Sequence, residues 1–410
     1  MDIEKEKHIS TIVVIGAGAA GFFSAIHNKQ NNPKSRVIIL EKSAHVLSKV
    51  KISGGGRCNV THACFDPKQL CNYYPRGAKA LRSVFYRFQP EDTMTWFEDR
   101  GVKLKIESDN RVFPVSNNSQ SIIDCLEKTA FKLEIEVYTQ VKIKSIKKEN
   151  KLFYIENDKK NNIQCHKLIL ATGSSKFGYE LAKKLGHNIK GPVPSLFTFK
   201  VADSNLHKLS GLSVLNGGVT LAGQKKLSHQ GPLLITHWGL SGPAIIKCSA
   251  WHAEELFDKK YQVGCSINWI PHLNNQQVLD QLHMFKTKHA KKKIGTISLL
   301  ETLPTRLWGY LLAKIKVDVN RSWNCLSAKE LNKIAIELQS SKFNIIGKGI
   351  FKEEFVTCGG VDLDEINFKT MESKKCRGLH IVGELLDIDG ITGGFNFQNA
   401  WSTGFVSGSK

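Results

Sequence analysis

The stretch "TIVVIGAGAAG" (Thr11–Gly21) decides how the rest of the chain is read. Its first half is a short β-branched run, the composition of a buried strand. Its second half places Gly16, Gly18 and Gly21 in a GxGxxG spacing, and "AAGFFSAIHNKQ" continues with helical periodicity. A second buried strand, "RVIILEK" (Arg36–Lys42), follows, with the acid Glu41 at its end. Together these predict one βαβ unit of about thirty residues, the size of a mononucleotide-binding half. Gly16 suits the tight turn, Gly18 a close approach to a pyrophosphate, and Gly21 close helix–strand packing. Ala19 and Ala20 open the helix, whose N-terminal N–H groups and positive dipole end favour phosphate. Glu41, with Lys42 beside it, is expected at the adenosine ribose.

Working outward, residues 141–170 alternate apolar and charged positions and predict an antiparallel meander feeding a third buried strand, "KLILATG" (Lys167–Gly173). From about residue 200 to 270 the chain is Gly- and Ser-rich with short β-like runs. Between 275 and 340, "QQVLDQLHMF", "TRLWGYLLAKI" and "KELNKIAIELQ" carry apolar residues three and four apart, the period of helices. "LHIVGELLD" (Leu379–Asp387) then returns to a strand and a glycine turn. The expected plan is a nucleotide-binding domain of residues 1–195 and 346–410, interrupted by an insertion at 196–345 that is β-rich over 196–270 and helical over 275–340.

Two features favour FAD over NAD as the dinucleotide. One is the strand end Ala171, Thr172, Gly173. The other is the segment from Gly383 through Glu384, Asp387 and Asp389 to Gly393 and Gly394, opening a helix at Phe395 and Asn396. Its acids suit ribityl hydroxyls. A helix N-terminus suits the flavin pyrimidine edge, where negative charge develops on reduction. The stretch "KISGGGRCNVTH" (residues 51–62) adds three successive glycines, Arg57, Cys58 and Asn59. Gly56 and its neighbours would pass along a flat polar ligand.

The bulk numbers bound the class. The chain has 410 residues, 41 % of them apolar and 23 % charged, and a net charge of +21. That charge fits an anionic partner. The lysines are spread rather than massed, so a nucleic-acid groove has little support from patterning. Ten cysteines stand without a CxxC pair, which fits a reducing cytoplasm and predicts no metal site. The uncharged run Ile9–Ile26 is too rich in Gly and Ala to be read as a membrane span, and the mixed-charge leader "MDIEKEKH" is a poor secretory signal.

The chain resembles the BaiN-like family of bacterial NAD(P)/FAD-dependent oxidoreductases, also described as aminoacetone-oxidase-family FAD-binding enzymes. The resemblance rests on "VIGAGAAG", "ISGGGRCNVTH", "LILATGSSKFGYELAKKLGH", "PVPSLFTF", "GPLLITHWGLSGPAI", "TCGGVDLDEI" and "GELLDIDGITGGFNFQNAWSTG". It implies an α/β fold: a Rossmann-like FAD-binding domain of the glutathione-reductase type, interrupted by an inserted β-barrel plus a small helical domain. The chain stops soon after the last of these motifs, at Lys410, so a short final helix is expected.

On that resemblance, "SGGGRCN" runs along FAD, with Arg57 near phosphate or flavin oxygens and Asn59 at the isoalloxazine edge. Cys58 is either a redox partner of the flavin or a buried, inert thiol, the second being preferred. In "THWGLSGPAII", Ser241 is expected to cap a helix and His237 to border the substrate side as a proton donor. Gly359 and Gly360 are expected to pass close to the flavin. The activity implied is hydride transfer at flavin N5 with a small organic substrate. Only one GxGxxG is present, so NADH or NADPH would act without a Rossmann domain of its own, or the substrate itself would be the donor. The alternative is a flavin-containing nucleic-acid-binding or tRNA-modifying protein.

Overall fold

A computed structural model describes residues 10–159, 162–224, 229–296, 303–349 and 356–409; the leader considered above lies outside them. The chain divides into two compact units, one running up to Val193 and resuming at Val356, the other spanning Pro194–Phe355.

The first unit is built on the opening βαβ. Strand β1 (Thr11–Ile15) leads into helix α1 (Ala19–Asn31) and then β2 (Arg36–Leu40). In the main sheet β1 lies between β2 and Lys167–Leu170, parallel to both. Leu379–Ile381 adds in parallel beyond Lys167–Leu170, and Glu136–Tyr138 beyond β2. Two short antiparallel strands, Glu372–Ser373 and Ile366–Asn367, complete seven strands. The inner strands are apolar on both faces because both faces are covered. Helix α1 is buried from Ala20 to Asn28, between the sheet and the C-terminal helix Phe395–Gly408.

Small residues make that helix pairing possible. A Cβ at Gly404 would sit 3.0 Å from the Ala20 carbonyl oxygen, and one at Gly408 would sit 2.6 Å from the His27 Cβ. Close packing of two helices whose buried faces carry Phe23 and Trp401 removes much apolar surface from water, at about 25 cal/mol per Å². The C-terminal helix has 14 residues and is therefore not short.

The meander expected at 141–170 is present as Ile143–Glu149, Leu152–Asn157 and Ile163–Cys165, paired antiparallel.

The second unit is a closed barrel of Phe199–Val201, Gly239–Ser241, His229–Thr236, Ser213–Leu221, Val263–Asn268 and Ser341–Lys348. Helices Asn275–Lys288, Thr305–Lys314 and Ala328–Ser340 accompany it. Their apolar faces form one core with the barrel interior, including Trp269, Trp308 and Trp323. Ala328–Ser340 begins with a capping box in which Ser327 and Glu330 satisfy each other's backbone N–H.

Candidate functional site

Parallel register gathers three chain turns at one sheet edge. Ile15 pairs with Leu170 and Leu170 with Ile381, so Gly16, Ala171 and Gly383 all follow the carboxyl ends of adjacent strands. Ligands of open α/β sheets bind at that edge. The three motif glycines are there for different reasons. Gly16 has φ +106°, and a Cβ on it would meet the Ala171 oxygen at 2.5 Å. A Cβ on Gly21 would meet the Gly16 oxygen at 1.9 Å. Both are required by contacts within the protein. Gly18 is not: a Cβ there meets nothing within 4 Å. It is the N-cap of α1, no side chain caps that helix, and no acid stands in its first turn. Gly18, Ala19 and Ala20 thus leave an open helix N-terminus suited to an anion.

Glu41 reaches back to this turn. Its Oε2 accepts the Ala17 N–H (2.9 Å), and its Oε1 accepts the Ser43 N–H (2.9 Å) and hydroxyl (2.8 Å). Lys42 is exposed.

The triple glycine makes a left-handed bend. Gly54, Gly55 and Gly56 have φ +57°, +69° and +83°. Gly54 is packed against Phe113, but a Cβ on Gly55 or Gly56 meets nothing within 4 Å. The side chains that follow are engaged inside the protein, which corrects their expected aim. The Arg57 guanidinium donates to Glu107 (2.7 Å) and lies 3.9 Å from the Phe113 ring centre. The Asn59 amide nitrogen donates to the Thr61 (3.0 Å) and Val112 (3.3 Å) carbonyls, and its oxygen accepts the Gly394 N–H at 3.0 Å. Asn59 therefore clamps the start of the C-terminal helix. Cys58 is fully buried, and burial pushes its thiol up to about 12. Such a thiol carries almost no thiolate near neutrality, so the geometry is that of a packed side chain rather than a redox nucleophile.

Opposite these lies the segment after Leu379–Ile381. Gly383, with φ +69°, donates its N–H to the Thr403 hydroxyl (3.0 Å). Glu384 Oε2 accepts from Lys49 Nζ at 2.6 Å, and Lys49 also reaches the Ser174 hydroxyl at 3.3 Å. Asp387 Oδ2 accepts from Lys190 Nζ at 2.8 Å. Asp389 is fully buried in an ion pair with Arg76, and Asn396 exchanges two hydrogen bonds with the Gly390 backbone (2.8 and 2.9 Å). These two residues pin the loop, a role their sequence context did not announce. Gly394 has φ +93°, and a Cβ on it would meet the Thr61 oxygen at 2.5 Å. A Cβ on Gly393 would meet the Phe395 ring at 2.9 Å. Phe395 clusters with Tyr73 (4.4 Å) and His62 (4.6 Å), whose rings are 5.4 Å from each other.

Three buried polar atoms here have no hydrogen-bond partner among the described residues: Asp387 Oδ1, Thr172 Oγ1 and the Tyr179 hydroxyl. They belong together. Burial raises the Tyr179 pKa, and the charges of Glu384 and Asp387 and Cys358 add to it; Thr172 packs on Gly178, next to Tyr179. An unsatisfied buried polar group costs about 1–3 kcal/mol. One acceptor and two hydroxyls in this state suit a ligand carrying several hydroxyls, as a ribityl chain does. Lys49, Tyr179 and Lys190 went unremarked in the sequence, although Tyr179 lies inside a stretch that carried the family resemblance.

Gly359 and Gly360 are explained by protein contacts. Their Cβ atoms would meet the Gly191 (2.6 Å) and Leu385 (2.7 Å) carbonyl oxygens respectively. In the second unit, His237 is exposed on the turn between His229–Thr236 and Gly239–Ser241, its ring 4.3 Å from that of Trp238. The helix Pro243–Trp251 is capped by Gly242, with φ +95°, and not by Ser241, which ends a barrel strand.

The model of the HI0933-like protein Rossmann domain matches residues 10–410. The chain belongs to the HI0933-like family of FAD-dependent oxidoreductases. Among curated proteins this HI0933-like chain is 28 % identical to a 3-dehydro-bile acid delta(4,6)-reductase of Clostridium scindens, over 98 % of each chain. It is 27 % identical to a ribosomal RNA dihydrouridine synthase of Haemophilus influenzae, over 96 % of each. It is 28 % identical to that of Escherichia coli, again over 96 % of each. Among solved structures, the Rhodococcus jostii 3-ketosteroid-delta4-(5alpha)-dehydrogenase matches with TM-score 0.50 at 12 % identity, over 100 % of this chain and 98 % of that one. That likeness shows the fold. No helix among the described residues is long and apolar enough to cross a membrane.

Proposed function

We propose that the chain reduces a carbon–carbon double bond conjugated to a carbonyl, using FAD held at the carboxyl edge of the main sheet. The observation that carries the cofactor placement is the set of unpartnered polar atoms of Asp387, Thr172 and Tyr179 beside the open helix N-terminus at Gly18. When bound, FAD supplies hydride chemistry at its N5 position. Gly18, Ala19 and Ala20 give backbone N–H groups to the pyrophosphate, and Glu41 with Lys42 holds the adenosine end. Asp387, Thr172 and Tyr179 take the ribityl hydroxyls. Gly55 and Gly56 leave room for a flat ring, and the N-terminus of the helix Phe395–Gly408 faces its pyrimidine edge. His237 is the proton donor in this reading, its imidazole able to hold and release a proton.

The reaction class is supported by the relatives. A delta(4,6)-reductase of a 3-dehydro-bile acid and a dihydrouridine synthase both saturate a double bond conjugated to a carbonyl, and both match at 27–28 % identity over nearly the whole chain. NADH or NADPH is the proposed donor, docking without its own Rossmann domain. The net charge of +21 favours a second reading of the substrate, uridine within an RNA.

The test is anaerobic. The purified FAD-loaded protein is reduced with NADH or NADPH, then mixed with a conjugated steroid enone or with unmodified ribosomal RNA. Recovery of oxidised flavin absorbance with a product two mass units heavier supports the proposal and tells the substrates apart. Failure to take up FAD, or reduced flavin that neither acceptor reoxidises, overturns it.

A further inference from the structure

We propose that the barrel unit carries a structural zinc site formed by His229, Cys248 and His252. It is independent of the flavin reading. A ligand atom from each of the three lies within 4.8 Å of the others, and all three residues are buried. Two local features bring them together. Cys248 and His252 stand four apart at the end of the helix Pro243–Trp251, where the His252 N–H donates to the Cys248 carbonyl at 3.1 Å. His229 opens the strand His229–Thr236, and a Cβ on Gly231, two residues on, would sit 3.6 Å from the Ala244 nitrogen of that helix.

The second observation is chemical. The Nε2 atoms of both His229 and His252 are buried with no hydrogen-bond partner among the described residues, while the two residues are 5 % and 7 % exposed. Two orphaned imidazole nitrogens beside a thiol are costly without a ligand and are the donor set of zinc, which takes Cys sulfur and His nitrogen. The other nitrogen of His252 is already oriented: Nδ1 is 3.2 Å from Glu255 Oε2. Glu255 is in turn held by Lys259 (2.7 Å) and Gln224 (3.2 Å). A carboxylate behind a ligating histidine fixes its ring and tautomer. Tetrahedral zinc needs donors about 3.5 Å apart, so the three close by about 1 Å. On binding, the Cys248 S–H bond is replaced by S–Zn and the proton leaves to solvent; both imidazoles bind neutral. Burial of all three keeps the ion out of reach of substrate, and the three protein donors leave the fourth position to a water.

The experiment uses the full-length FAD-loaded protein, stripped with a chelator and titrated with Co²⁺. The expected result is one equivalent of bound cobalt with visible d–d bands beyond the flavin absorption, removed by added Zn²⁺. Cys248→Ala and His252→Gln should each abolish the bands, with FAD absorbance and circular dichroism confirming the fold. Should either variant fail to fold, the wild type decides by its melting temperature, which Zn²⁺ should raise by about 3 °C or more. Absence of cobalt bands in the wild type, an unchanged melting temperature, or undiminished metal in the folded variants overturns the proposal.

Discussion

Arg76 and Asp389 stand 313 positions apart and meet as a two-point ion pair, the Arg76 Nε 2.5 Å from Asp389 Oδ1. The carboxylate is fully buried and the arginine side chain 13 % exposed. Asp389 thus anchors the loop ahead of the C-terminal helix instead of standing open to a ligand. Removing one partner leaves a buried charge without compensation, at a cost of about 3–5 kcal/mol. Arg76→Ala should lose that much in urea denaturation, and Arg76→Ala with Asp389→Asn should lose clearly less. Equal losses in the two variants would refute the pairing argument.

Gly18 and Gly21 make a paired test of ligand approach. Gly21→Ala forces its Cβ into the Gly16 carbonyl and should destabilise the fold itself. Gly18→Ala meets open space at φ −90°, so the stability of the FAD-free protein should stay within about 0.5 kcal/mol of wild type. Its FAD affinity should fall at least about tenfold by absorbance titration, a loss of about 1.4 kcal/mol. Undiminished affinity would remove the α1 N-terminus from the FAD site.

Thiol chemistry should follow burial. Cys325 is exposed, whereas Cys58 is buried with its thiol near 12. Iodoacetamide at pH 8 should label Cys325 in the native protein and spare Cys58 until denaturant is added, as read by peptide mass spectrometry. Cys58→Ala should keep both bound flavin and turnover. A large loss of turnover with flavin retained would restore a redox role.

Buried histidines should make the protein acid-sensitive. Burial, with Arg100 nearby, lowers His27 to about 3, and burial, with Lys167 nearby, lowers His380 to about 3. A depressed histidine gives stability that is present above the unfolded value near 6.5 and is lost as pH falls toward the folded one. Stability should therefore decline from about pH 6.5 downward. At pH 5 each such group contributes a loss of about 2 kcal/mol relative to neutrality. His27 packs between Phe23 (4.9 Å) and Phe405 (4.8 Å), so His27→Phe should remove its own share of that decline, about 2 kcal/mol at pH 5, in urea denaturation measured against pH. An unchanged slope would show that His27 is not responsible.

Much of this fold was legible in the chain because its signals are local. A β-branched run, glycines two and three positions apart and a helical period need only neighbours to be interpreted, and they located β1, α1 and β2. The open face of Gly18 was anticipated; the packing that requires Gly16 and Gly21 was anticipated in kind. The polar side chains were harder. Arg57, Asn59, Asp389 and Asn396 all suit a ligand by residue type, yet the first three answer to residues far away or on other elements: Glu107, the Val112 carbonyl, the Gly394 N–H and Arg76. The cysteines lacked metal spacing, and so His229 with Cys248 and His252 went unseen until a barrel strand and a helix end came together.

The order of residues alone set where strands, the nucleotide-type turn and a β-rich inserted segment would form, because backbone conformation and apolar periodicity act over a few positions. Tertiary structure alone decided which polar atoms are consumed inside the protein and which, like Asp387 Oδ1 and Thr172 Oγ1, are left without a partner. Hydrogen bonding is settled by proximity in space, and a residue's chemistry does not name its neighbour.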